Sequence, residues 1–220
     1  MTPFPEKNIL PTPQQKLWPD LVAATRKGFV LYGGTAIALY LGHRESVDFD
    51  FFSDNSFDPE ALIKQLPFLQ GGTVLQATPD TLTVLVQQGD DPDDTVKVSL
   101  FGGLEFGRIQ APTLTPDRVI AVASKIDLLG HKLKVLLQRE ESKDYQDIDA
   151  LLTHGLDLAT GLGAAQALFK SFPPMESLRA LTYFSKGVSS LDPSLKARLV
   201  AAVKKVRSIP TVVTTATSLI

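Results

Sequence analysis

The sequence predicts an α/β half followed by a mostly helical half, and three observations carry that prediction. Through the first 115 residues, apolar runs of strand length bounded by Gly, Asp and Pro alternate with helix-compatible runs. After "APTLTPDR" nearly every long segment shows helical periodicity instead. The chain has 220 residues, 44% of them hydrophobic, enough to bury a real core in one large domain or two small ones. The expected division is an α/β domain over residues 1–115 and a helical domain over 116–220.

Each element has its own signal. "PTPQQKLWPDLVAATRKG" reads as a helix interrupted by Pro19 and stopped by Gly28, and "FVLYGG" as a short strand ending in paired glycines. The run from Thr35 to Leu41 is helix-compatible, and "VDFDFF" is a strand with Val47, Phe49 and Phe51 turned inward. "FDPEALIKQLPFL" is a helix opened by Asp58, with Pro59 at its first position. Three strands follow, "TVLQAT", "TLTVLVQ" and "TVKVSLF", with the acidic turn "GDDPDD" before the third. In the second half "VIAVASKIDLLGHKLKVLLQR", "SKDYQDIDALLT", "LATGLGAAQALFKSF", "MESLRALTYFS" and "PSLKARLVAAVKKVR" read as helices. The tail "SIPTVVTTATSLI" fits a strand, a docking segment or a frayed end.

Composition narrows the function. The net charge of −2 argues against a general nucleic-acid binder, but it hides an asymmetry. Residues 1–115 hold 8 Lys/Arg against 14 Asp/Glu, and the remainder holds 14 against 10. The chain has no cysteine, no signal-peptide pattern at its start and no apolar run long enough for a membrane span, so a cytoplasmic protein without a membrane partner is expected.

The chemistry concentrates in "LYGGTAIALYLGHRESVDFDFF". A strand that ends in Gly-Gly and turns into a helix lets backbone N–H groups approach a phosphate, and Thr35 adds a hydroxyl there. Alone, Gly33 and Gly34 signal little, since Gly-Gly before a helix is more often just a tight turn. Asp48 and Asp50 lie two apart on a strand, so both carboxylates leave the same face and suit a pair of divalent cations about 4 Å apart. Carboxylates are hard oxygen ligands of the kind Mg²⁺ takes. A solvated amphipathic strand is the competing reading, against which stands the scarcity of Asp in strands.

In its order of elements the stretch resembles the nucleotidyltransferase fold of the DNA polymerase β type, a mixed sheet flanked by helices. More closely, "GGTAIALYLGHRESVDFDFF" is similar to the signature of the AbiEii-type nucleotidyltransferase toxins: GGT, an apolar helix, a Gly-His-Arg-like link and an Asp-x-Asp strand. A second similarity lies in "HKLKVLLQREESKDYQDIDALL", a Lys-Leu helix followed by a Lys/Arg-Asp pair and a second Asp. The resemblance implies Mg²⁺-dependent transfer of a nucleoside monophosphate from an NTP to an acceptor hydroxyl, RNA or tRNA among the acceptors, and a cognate antitoxin. It implies that Gly33, Gly34 and Thr35 cradle the triphosphate and that Asp48 and Asp50 bind metal. Arg44 would stand at the site margin, and Lys132 with Asp144 would complete the nucleotide site from the helical half.

Read physically, the helix around Lys132 carries an apolar arc of Val122, Ile126, Leu129, Leu133 and Leu136, with Asp127, His131, Lys134 and Gln138 opposite. Lys125 and Lys132 stand at the margin of that arc, where lysines commonly snorkel. In the next helix Asp144 points with Ile148 toward the inner face and needs a partner, Lys132 or Lys143, with Ser142 read as N-cap and Asp149 as solvent-facing. Lys196, Arg198, Lys204, Lys205 and Arg207 could follow an RNA backbone or form a solvated helix face.

One feature departs from the polymerase β pattern. A third carboxylate is expected on the strand "TVKVSLF", and Ser99 stands there, on one face with Lys97 and Phe101 while Val96, Val98 and Leu100 face inward. Two further readings therefore stay open, a catalytically lapsed module that binds nucleotide or antitoxin, and an α/β protein whose Asp pair is structural.

Overall fold

A computed structural model describes residues 4, 9–89, 91, 94–184, 188 and 190–220. Part of the acidic turn, Asp90, Pro92 and Asp93, lies outside the described residues. Contacts group the chain into two compact units, one of Met1–Gly107, Ala111–Ala123 and Ala216–Ile220, the other of Arg108–Gln110 and Ser124–Thr215.

The first unit is built on a mixed sheet. Its strands are β1 (Val30–Tyr32), β2 (Asp48–Phe52), β3 (Thr73–Thr78), β4 (Thr81–Gln87), β5 (Thr95–Phe101), β6 (Thr113–Leu114) and β7 (Ala121–Val122). The order is β3-β4-β5-β2-β1-β7-β6, which puts β2 at the centre between antiparallel β1 and parallel β5. Strict alternation fixes the register: Phe49 and Phe51 of β2, and Val96, Val98 and Leu100 of β5, are all buried. A slip by one residue would send the carboxylates of β2 into that core. Val47, expected inward, precedes the strand and is exposed, because alternation binds a side chain only where the ladder runs.

Helices α1 (Thr12–Leu17) and α2 (Val22–Arg26) are joined by a 3₁₀ turn over Trp18–Leu21, where Pro19 removes a backbone donor. Gly28 ends this segment at φ +86°. Helix α3 (Gly33–Leu41) is a short apolar helix, closed by Gly42 at φ +61°, whose N–H returns to the Ala38 carbonyl. Helix α4 (Pro59–Gln65) starts as the sequence predicts, with the Asp58 carboxylate accepting from the Ala61 N–H at 2.9 Å.

The second unit is helical: α5 (Lys125–Val135), α6 (Ser142–Thr153), α7 (Leu158–Leu168), α8 (Pro174–Ala180) and α9 (Pro193–Lys205). Three expectations are corrected here. Val122 does not belong to the helix of Lys132; it sits in β7, paired in parallel with Leu31, and the helix begins only after Ser124 caps it. A run as apolar as "VIAVA" suits a buried strand as well as a helix, and periodicity alone does not separate the two. The N-cap of α6 is Glu141, with Ser142 its first helical residue. Finally, α5 has no wet face at Asp127, which is buried and accepts from Ser124, from the Ile109 N–H at 2.7 Å and from the Gln110 N–H at 3.1 Å. Burial pushes the Asp127 carboxyl up, and these hydrogen bonds oppose that shift. Close approach of α5 to α7 depends on Gly130 and Gly161, where an added Cβ would press on the Ala165 backbone and on Leu129.

The tail forms no helix or extended strand of its own, and its last residues, Ala216–Ile220, belong to the first unit, with Leu219 buried.

Candidate functional site

The glycine turn and the aspartate strand meet directly. Tyr32, the last residue of β1, is paired with Asp50, so the chain leaves the strand at Gly33 right beside that carboxylate. Gly33 sits at φ +73°, and a Cβ there would overlap Asp50 Oδ2. Glycine is required on both counts, backbone conformation and space. At Gly34 a Cβ would overlap the Arg44 guanidinium and lie 3.0 Å from Ser46 Oγ. The guanidinium is held in part by its Nη1, which donates to the Glu45 carbonyl at 2.9 Å. Two glycines thus make room for a carboxylate on one side and a fixed cation on the other.

Thr35, at the first turn of α3, joins the turn to the strand. It is buried, its hydroxyl donates to the Asp48 carbonyl, and its Oγ1 shares a hydrogen bond with Ser46 Oγ at 3.0 Å. The first turn of α3 is thereby tied to the backbone of the metal-type strand. Ser46 has no sequence signal of its own; only the return of the chain to Thr35 gives it a role.

Along β2 the face opposite the core carries Asp48, Asp50 and Phe52. Phe52 stacks on Tyr32 with ring centroids 4.7 Å apart, and Phe101 and Phe106 meet it edge-on. Aromatic rings therefore floor one end of the acidic face. Across the strand pair, Asp50 stands opposite Ser99 and Asp48 opposite Lys97. Ser99 lies beside the aspartates on their face, where the polymerase β pattern expects a third acid, and its Oγ lies 3.5 Å from Thr83 Oγ1. Lys97 Nζ lies 2.9 Å from Asp48 Oδ2, with the two side chains 38% and 28% exposed.

Among the described residues no group of three or more His, Cys, Asp or Glu gathers around one point. Mg²⁺ needs no such group, because it is commonly held by one or two carboxylates plus substrate phosphates and water. Two half-exposed carboxylates on one sheet face, with the Ser99 hydroxyl beside them, are hard oxygen donors that fit a Mg²⁺ ion.

The second unit holds a different arrangement. Lys132, expected at the margin of its helix, is buried, its side chain only 7% exposed, and its ammonium meets Asp144 Oδ1 and Asp147 Oδ2 at 2.7 Å each. Arg139 adds its Nε to Asp144 Oδ2 at 3.0 Å. Both carboxylates are fully buried, which only such pairing permits. The partner that the inner-face position of Asp144 requires is Lys132 and not Lys143, whose Nζ lies 2.9 Å from Glu141 Oε2 instead; Asp147 and Arg139 join the pair without a signal in the sequence. Beside them the Tyr145 hydroxyl is pushed up to about 12, chiefly by burial and further by Glu140 and Asp144, and donates to the Ala180 carbonyl at 3.2 Å. Asp149, read as solvent-facing, is buried and gripped by Arg198, whose Nε donates to its Oδ1 at 2.9 Å. Arg198 is therefore already engaged, and Lys196 lies over the Phe184 ring at 5.4 Å.

The sequence matches the family described as "Nucleotidyl transferase AbiEii toxin, Type IV TA system" over residues 20–204. It is 30% identical over 159 residues to an uncharacterized protein of Aquifex aeolicus (strain VF5), a similarity that covers 71% of this chain and 73% of that protein. In structure it is similar to MenT4, a nucleotidyltransferase toxin from Mycobacterium tuberculosis H37Rv, with a TM-score of 0.61, 16% identity, and 87% of this chain and 82% of that chain covered. No helix among the described residues is long and apolar enough to cross a membrane. With the match running through both the glycine–aspartate motif and the lysine–aspartate motif, the chain belongs to the AbiEii family of nucleotidyl transferase toxins and is a nucleotidyltransferase.

Proposed function

We propose that the protein transfers a nucleoside monophosphate from an NTP to an acceptor hydroxyl in a Mg²⁺-dependent reaction, with RNA, tRNA included, as the acceptor class. The observation that carries this reading is the contact of the glycine turn with the acidic strand, since Gly33 leaves space for Asp50 where any other residue would displace it. A triphosphate lying along Gly33 and Gly34, under the Arg44 guanidinium, has its phosphates at the carboxylates without further rearrangement. Mg²⁺ held by Asp48 and Asp50 would neutralise phosphate charge and orient the α-phosphate.

The acceptor oxygen attacks the α-phosphorus, the bond to the bridging oxygen breaks, pyrophosphate leaves, and the hydroxyl proton is released to solvent. Arg44 stabilises charge that accumulates on the phosphates, and Thr35 holds Asp48 in register by its backbone. Lys132 and Asp144 are proposed for the nucleotide on the strength of the family motif they belong to. Lys204, Lys205 and Arg207 are the basic residues proposed for an RNA backbone, and a cognate antitoxin is the partner that a type IV system implies.

Incubation with each labelled NTP, Mg²⁺ and total RNA, with and without EDTA, tests the proposal. Label moving to RNA only when metal is free supports it. Nucleotide binding without transfer favours the lapsed binding module that Ser99, in place of an acid, keeps open.

A further inference from the structure

We infer that Lys97 takes the place of a second metal ion, so that this site works with a single divalent cation. The inference rests on the proposed metal-binding role of Asp48 and Asp50 and deepens it.

Three observations converge on Lys97. Register puts it directly beside Asp48 in the β2–β5 pair and on the carboxylate face, so the sheet fixes where its side chain starts. Its ammonium lies 2.9 Å from Asp48 Oδ2, on the one carboxylate of the pair that has no β1 residue opposite it. One row along the same strand, Ser99 stands beside Asp50 where a third carboxylate would be needed to hold a second cation firmly.

Charge balance gives Lys97 and Ser99 a joint reading. Three carboxylates with two divalent cations leave one net positive charge to face the triphosphate. Two carboxylates with one lysine and one divalent cation leave the same. Loss of an acid at residue 99 alone would leave a doubly charged ion with too few ligands; loss of the acid with a lysine at 97 restores the balance using a cation that cannot dissociate. The ammonium contributes charge and three donors but no Lewis acidity of the metal kind, so Lys97 both positions Asp48 and pairs directly with phosphate oxygens.

Mn²⁺ serves as the probe, its free concentration followed by electron paramagnetic resonance during titration of the full chain, alone and with non-hydrolysable α,β-methylene analogues of the four NTPs. The expected result is one protein-dependent Mn²⁺ per chain in the wild type. Lys97→Met, which keeps the aliphatic stem, should bind Mn²⁺ at least ~10-fold more tightly in the absence of nucleotide, because a cation beside the ligand has been removed. Lys97→Met combined with Ser99→Asp should acquire a second Mn²⁺, and Lys97→Arg should keep the wild-type stoichiometry. Thermal melts confirm that each variant is folded.

Two Mn²⁺ ions in the wild type, or a Lys97→Met affinity equal to wild type, would overturn the assignment of Lys97 while leaving the aspartates as metal ligands. No protein-dependent Mn²⁺ in any variant, or Mn²⁺ that persists in Asp48→Asn/Asp50→Asn, would overturn the metal reading of the pair and this inference with it.

Discussion

The molecule carries two sets of opposed charges, and they are built in opposite ways. In the first unit Asp48 and Lys97 sit half-exposed on the outer face of a sheet, near enough to pair yet open to solvent and to a ligand. In the second, Asp144 and Asp147 have no exposed surface at all, and Lys132 bridges both. An exposed pair contributes about 0–1 kcal/mol to stability and is weakened by salt. A buried pair that loses one partner costs about 3–5 kcal/mol, because a charge is left without solvent or counter-ion. The sheet site is therefore free to serve chemistry, whereas the helical cluster is also part of what keeps its unit folded.

That contrast fixes what substitution should do in each place. The largest effect is expected at the aspartates: Asp48→Ala or Asp50→Ala should reduce transfer at least ~100-fold, roughly 2.7 kcal/mol or more of barrier, while the melting temperature stays close to wild type. Full activity in either variant would remove the sheet site from the reaction. Unfolding of both would make the two regions alike and the aspartates structural.

Next in size is Lys132→Ala, expected to destabilise the fold by about 3–5 kcal/mol in urea or thermal denaturation, with Asp144 retaining only Arg139 and NTP binding weakened at least ~10-fold where the variant is folded. Lys134→Ala, one turn face away and half-buried, should change stability by no more than about 0.5 kcal/mol. Equal effects from the two lysines would erase the distinction between a bridging cation and a surface one.

Gly33→Ala is expected to cost less than the aspartate substitutions or Lys132→Ala. Positive φ and overlap with Asp50 together should cost about 1–3 kcal/mol, and transfer should fall with it as the carboxylate is pushed aside. An active, fully stable Gly33→Ala would mean that the turn does not need to approach Asp50 so closely.

A smaller effect is expected from pH. Burial pushes the His131 imidazole down to about 3, from its ordinary 6.5. The unfolded chain then binds a proton that the folded chain refuses, so stability falls as pH drops from about 6.5 toward about 3. The His131→Phe variant, which keeps a ring against Phe169 at 5.0 Å in the parent, should lose stability less steeply over that window. Parallel pH profiles for the two proteins would show that this imidazole is not protected. The smallest effect is expected for Ser99→Ala, with transfer within about 2-fold of wild type, since a hydroxyl replaces neither a carboxylate ligand nor a base; measured rates under saturating Mg²⁺ decide it.

Much of this was legible in the residues. The strands over 73–78, 81–87 and 95–101, and the face shared by Asp48 and Asp50, follow from alternation, because successive side chains on a strand must leave opposite faces; Ser99 joins that face as the family pattern implies and the β2–β5 pairing shows. Asp58 and Pro59 open α4 for equally local reasons. The failures cluster in the helical half, where a wheel assigns an inside and an outside to a helix that is buried on nearly every side. Asp127 and Asp149 both looked like residues of a wet face and are both buried, each against a partner distant in sequence or in the next turn.

By itself, then, the sequence determined the local order of elements and the identity of the groups that share a strand face, since both depend on periodicity and on neighbours a few residues apart. Which strands lie side by side, and hence that Lys97 stands beside Asp48 and Ser99 beside Asp50, was decided only by the sheet pairing of residues almost fifty positions apart. The same holds for the charges of the second unit: whether an aspartate is solvated or buried depends on the helix that covers it, and no single helix carries that information.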